Sequence, residues 1–202
     1  MNNEQLLQMY NAIRQQPDLL VKEAARKRLI NFSRYMQPDL VLEPFHVVYY
    51  TLLDMFAHGK IRKMIVQQPP QHGKSEGSSR KLPAFMEGLN PDLKIVIGSY
   101  AATIARDFNR DVQRIIDTPR YRELFPGTYL NGSNVVTMAN TYLRNSDVIE
   151  MVGRKGSLRV VGRGGSLTSK TVDVSILDDV YKDYAEGNSP IVRAAAWKWY
   201  TT

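Results

Sequence analysis

The chain has 202 residues, 43 % hydrophobic and 23 % charged, with no cysteine and a net charge of +7. That length supports one domain with a sizeable core, and the absence of thiols excludes disulfides and thiolate metal sites. No run of about 18 apolar residues is present, which excludes a membrane-spanning helix, and the polar start MNNEQLLQMYNAIRQQ lacks a signal peptide's apolar stretch, so an intracellular setting fits.

Residues 4–35 read as helix in two pieces. Leu6, Leu7, Tyr10 and Ile13 recur at helical spacing, Pro17 interrupts, and the pattern resumes from Leu19 to Tyr35. A loop with two prolines (36–46) leads to an amphipathic helix over 46–60 that ends at Gly59. KMIVQQ (63–68) is short, apolar and rich in β-formers, which predicts a buried strand. A helix is expected over 75–89, kinked at Pro83. A second strand (92–100) and a long helix (101–118) follow. The helix carries Ile104, Phe108, Val112, Ile115 and Ile116 on one face.

Residues 121–131 read as a loop. A hairpin is expected over 147–162, turning at Gly153–Gly156, then a glycine-rich basic loop (162–170). VDVSILDD (172–179) is a third buried strand ending in two acids, and Pro190 starts a last helix. Apolar strands alternating with helices argue for an α/β protein with a mainly parallel sheet flanked by helices.

QQPPQHGKSE (67–76) carries the densest chemistry. Gly73-Lys74-Ser75 is the ending of a phosphate-binding Walker A loop, although Gln68 stands where the first glycine of that pattern is expected. Such a loop works through backbone N–H groups and a helix N-terminus. Pro69 and Pro70 have no N–H, so the donors are Gln71, His72, Gly73, Lys74 and Ser75. Lys74 would reach the β- and γ-phosphates of ATP, and the Ser75 hydroxyl would bind Mg²⁺. Asp178, at the end of the third strand, is the matching Mg²⁺ acid of a P-loop enzyme. Asp179 is placed to polarise water as a general base.

The charge is unevenly spread. Seven of the 27 Lys/Arg and six of the 20 Asp/Glu lie in residues 1–60, which leaves the basic excess in 61–202. Arg154, Lys155, Arg159, Arg163 and Lys170 follow one another with no acid between them. They suit a polyanion or an arginine finger, and equally a solvated basic surface. Phe45 and His46 could stack near an adenine, while His72 reads as structural within the loop. Three histidines at these spacings do not suggest zinc.

PPQHGKSE, NPDLKIVIGSY, RDVQRIID, ILDDVYKDYAEGNSP and WKWYTT together resemble the ATPase domain of the large terminase subunit of tailed bacteriophages, in order, from about residue 27 to the end. The resemblance implies a P-loop NTPase of the ASCE type, with an N-terminal helical region (1–60) leading into the ATPase core (61–202). It implies ATP and Mg²⁺ as cofactors and a motor that moves double-stranded phage DNA into the procapsid. Expected partners are the terminase small subunit and the portal, in a homo-oligomeric ring without membrane, in the host cytoplasm.

Carried over by position, Lys74 and Ser75 match the phosphate and Mg²⁺ residues and Asp178 the Walker B acid. Asp179 takes the place where many such motors carry a catalytic glutamate. The arginine finger of some members falls at Thr168, Ser169 and Lys170, so Arg163 is the nearest arginine and the candidate. The family continues past WYTT into a coupling motif and a nuclease domain, so the resemblance implies a core truncated at its C-terminus and without nuclease. The alternatives are a non-catalytic remnant that binds nucleotide or DNA, and another ASCE DNA translocase.

Overall fold

The computed structural model describes residues 2, 4–6, 17–137, 141–166 and 171–201. Leu7, Tyr10 and Ile13 of the first expected helical piece, and Thr168, Ser169 and Lys170 of the basic loop, lie outside the described residues.

The helical piece expected from Leu19 to Tyr35 forms as two helices, with a break at Arg28 that the apolar spacing does not show. Helix α1 (Pro17–Lys27) opens at the proline that interrupts the pattern, with Asp18 in its first turn and Arg26 and Lys27 in its last, as the helix dipole favours. Arg28 is extended, and α2 (Leu29–Met36) follows it. The first N–H of α2 has no intrahelical acceptor. Asp54, in the next helix, supplies one, with Oδ1 2.7 Å from the Leu29 nitrogen. Helix α3 (Pro44–Ala57) begins two residues before the expected start, because Pro44 suits the first helical position and Glu43 and His46 cap each other reciprocally.

The expected strand over 63–68 is absent. The segment has no regular secondary structure, with Met64, Val66 and Gln68 half-buried and Ile65 91 % exposed, and it pairs with no strand among the described residues. Its alternation and β-forming side chains are those of a strand, but a strand also needs a neighbour for its backbone groups. The helix after it starts at Lys74 and runs as a π-helical segment (Glu76–Lys81) into α4 (Leu82–Leu89). Where a kink at Pro83 is expected, the structure has this π-helical segment just before the proline. Leu82 donates to the carbonyl of Gly77, five residues back, and the wide turn absorbs the misfit next to a proline that cannot donate.

The remaining elements are β1 (Lys94–Ser99), α5 (Ala102–Asp117), α6 (Pro119–Leu124), β2 (Val148–Glu150), β3 (Ser157–Gly162), β4 (Val174–Leu177), α7 (Tyr184–Asn188) and α8 (Pro190–Thr201). Helix α6 corrects the expected loop over 121–131. Thr118 accepts the Tyr121 N–H, Pro119 takes the first helical position, and burial of Tyr121 and Leu124 holds the turn. The fold is α/β, with a four-stranded mixed sheet in the order β2-β3-β1-β4. Strand β1 pairs in parallel with β3 and β4, and β2 and β3 form the expected antiparallel hairpin.

One apolar cluster joins Leu29, Phe32, Tyr50 and Leu53 of the N-terminal helices to Phe85, Tyr121 and Phe125 and to Ile95, Ile97, Leu158 and Ile176 of the sheet. On β1, Gly98 leaves room for Trp199 of α8, whose ring would lie 3.1 Å from a Cβ there. The chain leaves β1 for β3 on one side and then crosses to β4 on the other. The carboxyl ends of β1 and β4 therefore border a crevice where the strand order reverses, the usual place for a ligand in an open α/β sheet.

Candidate functional site

Three of the residues singled out in the sequence meet at that crevice. Lys74 Nζ is ion-paired with the Asp179 carboxylate and lies 3.2 Å from Asp178 Oδ1. Asp178 and Asp179 follow β4 directly, and their backbone extends the sheet. The Asp178 N–H reaches the Gly98 carbonyl at 2.8 Å, and the Tyr100 N–H reaches the Asp179 carbonyl at 3.0 Å. Asp179 turns the chain with φ 48°, a left-handed conformation that Asp tolerates better than most side chains.

The two acids differ in environment. Asp178 is buried, and a buried carboxylate must be paired. Lys74 provides the charge and the Ser79 hydroxyl donates to Asp178 Oδ2 at 2.6 Å. Asp179 remains 62 % exposed in its side chain, open to water and ligand. Burial disfavours the Lys74 ammonium, but hydrogen bonding and attraction from Asp179 and Asp178 outweigh it, and its pKa is raised.

The loop before Lys74 is held from outside. The Glu43 N–H donates to His46 Nδ1 at 3.0 Å, so neutral His46 carries its proton on Nε2, 3.3 Å from the His72 carbonyl. His72 Nδ1 lies 2.8 Å from the Pro70 carbonyl and so donates to it. The Tyr49 hydroxyl donates to the Lys74 carbonyl at 2.5 Å, where Ser78 also donates at 2.9 Å. Burial pushes the Tyr49 phenol up to about 12, so it remains a donor. Gln71 (φ 61°) and Gly73 (φ 76°) take left-handed conformations that fold the loop back on itself.

Among the described residues, the N–H groups of Gln71, His72 and Gly73 have no protein acceptor, and those of Lys74 and Ser75 open a helix. Among the described residues the five expected donors face no close acceptor, and Pro70 and Gln71 form the turn that presents them. Phe45 stacks on His46 (3.9 Å between centroids) and lies 5.7 Å from His72. Phe45, Val48, Leu52 and Ile65 line an apolar groove of about 580 Å³ that opens beside the loop.

Arg163 is in use structurally. Its Nη1 donates to the Val180 carbonyl (2.9 Å) and pairs with Glu186 (2.8 Å), and its own N–H bonds the Ser99 carbonyl. It thereby braces the turn after Asp179. Its hydrogen bond to Glu186 is the main cause of that carboxyl's lowered pKa.

Among the described residues, no three His, Asp or Glu side chains gather as a cation cage. A divalent cation at Asp178 would draw its other oxygens from hydroxyls, water and phosphate, which is the habit of Mg²⁺. The hydroxyl that bonds Asp178 is that of Ser79. Ser75 has no hydrogen bond to Asp178 here. Ser79 stands one turn after Ser75 in SEGSS, so helical spacing could have flagged it. Nothing local marks Tyr49 or Glu186. No protein-family model, no curated protein and no solved structure matches the chain.

Proposed function

We propose that the chain is a P-loop ATPase core of the ASCE type. One observation carries the reading. A lysine at the start of a helix meets two consecutive acids at the end of a strand, 105 residues on in the sequence, beside unpaired loop N–H groups. An isolated lysine–carboxylate pair can be purely structural. A lysine, a buried acid, an exposed acid and a run of loop N–H donors at a strand-order switch are the parts that phosphoryl transfer requires.

In this reading the N–H groups of Gln71 to Ser75 hold the phosphates, and Lys74 moves its charge from the two acids to the phosphate oxygens. Asp178, with Ser75 or Ser79, would hold Mg²⁺, which neutralises phosphate charge when bound. Asp179, freed from Lys74, orients or deprotonates the attacking water. The apolar groove beside Phe45 and His46 suits the base. The resemblance to the terminase large subunit extends the proposal to translocation of double-stranded DNA at a procapsid portal, in a ring with the small subunit as partner.

The bracing role of Arg163 favours a second reading, nucleotide binding without turnover. An arginine finger must be free to reach the phosphates, and such a finger is worth about 10³–10⁵ in rate.

Calorimetry with Mg-ATP tests the site. Lys74→Ala is expected to abolish binding, and Asp179→Asn to retain it while stopping phosphate release. Equal affinity in the parent and Lys74→Ala would sink the proposal. Turnover by Asp179→Asn at the parent rate would remove Asp179 as the base. Binding by the parent without turnover, alone and with DNA, would favour the second reading.

A further inference from the structure

The opposite end of the sheet carries a second concentration of charge. Lys94 opens β1 and Ser157 opens β3, directly opposite each other in the ladder, and Glu150 of β2 pairs with Ser157. Around them lies a cavity of about 360 Å³ whose lining includes Lys94, Arg154, Lys155 and Arg159. The strand β1 separates this cavity from the Lys74 crevice by roughly 17 Å, at about 3.3 Å per residue.

Four cations and one acid, Glu150, line it. Among the described residues, Lys94, Arg154 and Lys155 form no ion pair, and Arg159 approaches Glu150 only to 3.9 Å. Asp92 and Asp173 lie next to the lining and keep their charge, each accepting a backbone N–H at one oxygen, of Lys155 and Lys94 respectively. The hydroxyls of Tyr142, Ser157 and Thr171 add neutral donors. Three cations without an ion pair among the described residues, set around a concave surface, raise the local concentration of anions. Arginine forks and lysine point charges in one cavity suit phosphoryl oxygens.

We propose that this cavity is a second phosphate-binding site, independent of the Lys74 loop, which takes the phosphoryl oxygens of a free polyphosphate or of a nucleic-acid backbone. The substitution Arg154→Gln/Lys155→Gln tests it, because both side chains are exposed and neither makes an ion pair. It is introduced into the Lys74→Ala chain, so that the phosphate loop contributes little, and thermal denaturation verifies that the fold is kept. Lys94→Gln is the second variant.

Pyrophosphate and a random-sequence DNA duplex are the two probes. Saturable pyrophosphate binding that weakens tenfold or more in the variants supports the site and identifies free phosphate as sufficient. Duplex binding whose log K against log salt slope falls by about two units when both cations are removed supports it with the backbone as the source. If neither probe binds the Lys74→Ala chain, or if both bind the variants unchanged, the proposal is overturned. Neither result bears on the Lys74 site.

Discussion

Glu87 lies wholly buried in α4, with neither carboxylate oxygen hydrogen-bonded among the described residues. Desolvation, with the nearby charge of Asp92 as a smaller contribution, raises its pKa well above 4.5. The sign follows from proton linkage. Below about pH 4.5 the folded and unfolded chains both hold this proton. Above it the unfolded chain releases the proton and the folded chain keeps it, so stability falls as pH rises towards the folded pKa. Glu87→Gln, which mimics the neutral acid, should match the parent in melting temperature near pH 4 and exceed it at pH 8. An equal difference at both pH values would show that Glu87 is not held neutral. At this scale the sequence shows residue types but not surroundings. Lys74, Asp178 and Asp179 stood out because a short motif encodes them. Glu87 and Tyr49 did not, because their roles come from groups distant in sequence.

The helix after the Gly73-Lys74-Ser75 loop depends on Gly77. A Cβ there would lie 2.5 Å from the Tyr49 ring, which also holds the Lys74 carbonyl. Gly77→Ala should therefore cost about 1–3 kcal/mol by overpacking, read from denaturant midpoints. It should also weaken Mg-ATP binding if the loop is the phosphate site, since Tyr49 must shift. The segment 63–68 gives the contrasting case. Its period-2 pattern is real, since Met64, Val66 and Gln68 point inward, but pattern alone does not supply a hydrogen-bonding neighbour. Amide exchange checks this. The N–H groups of 64–68 should exchange much faster than those of 95–98, which sit between two parallel partners. Equal protection would mean that the segment is laddered in solution. Helix α6 was missed for the opposite reason. Its Thr-Pro start was legible, but the aromatic Tyr-Arg-Glu-Leu-Phe run without long periodicity reads as loop until Tyr121 and Leu124 find the core.

Among the described residues one apolar core is shared between the N-terminal helices and the sheet layer. Phe32 of α2 packs against Phe85, Tyr121 and Phe125 with ring centroids 5.4, 6.1 and 6.1 Å away. Phe32→Ala should cost about 3–5 kcal/mol. It should lower one cooperative calorimetric transition, with no separate melting of residues 17–60. A split transition would mean that the helices fold as an independent unit. The sequence by itself determined the α/β class, the β2–β3 hairpin, most helices and, separately, the Gly-Lys-Ser loop and the acid pair after a strand, because each follows from periodicity, caps or residue types close together in the chain. Only the tertiary structure decided that 63–68 lacks a ladder, that Ser79 is bonded to Asp178, that Arg163 braces the turn after β4, and that the basic residues of 154–159 gather with Lys94 at the far end of the sheet. Those features depend on which strands become neighbours, and local pattern does not encode that.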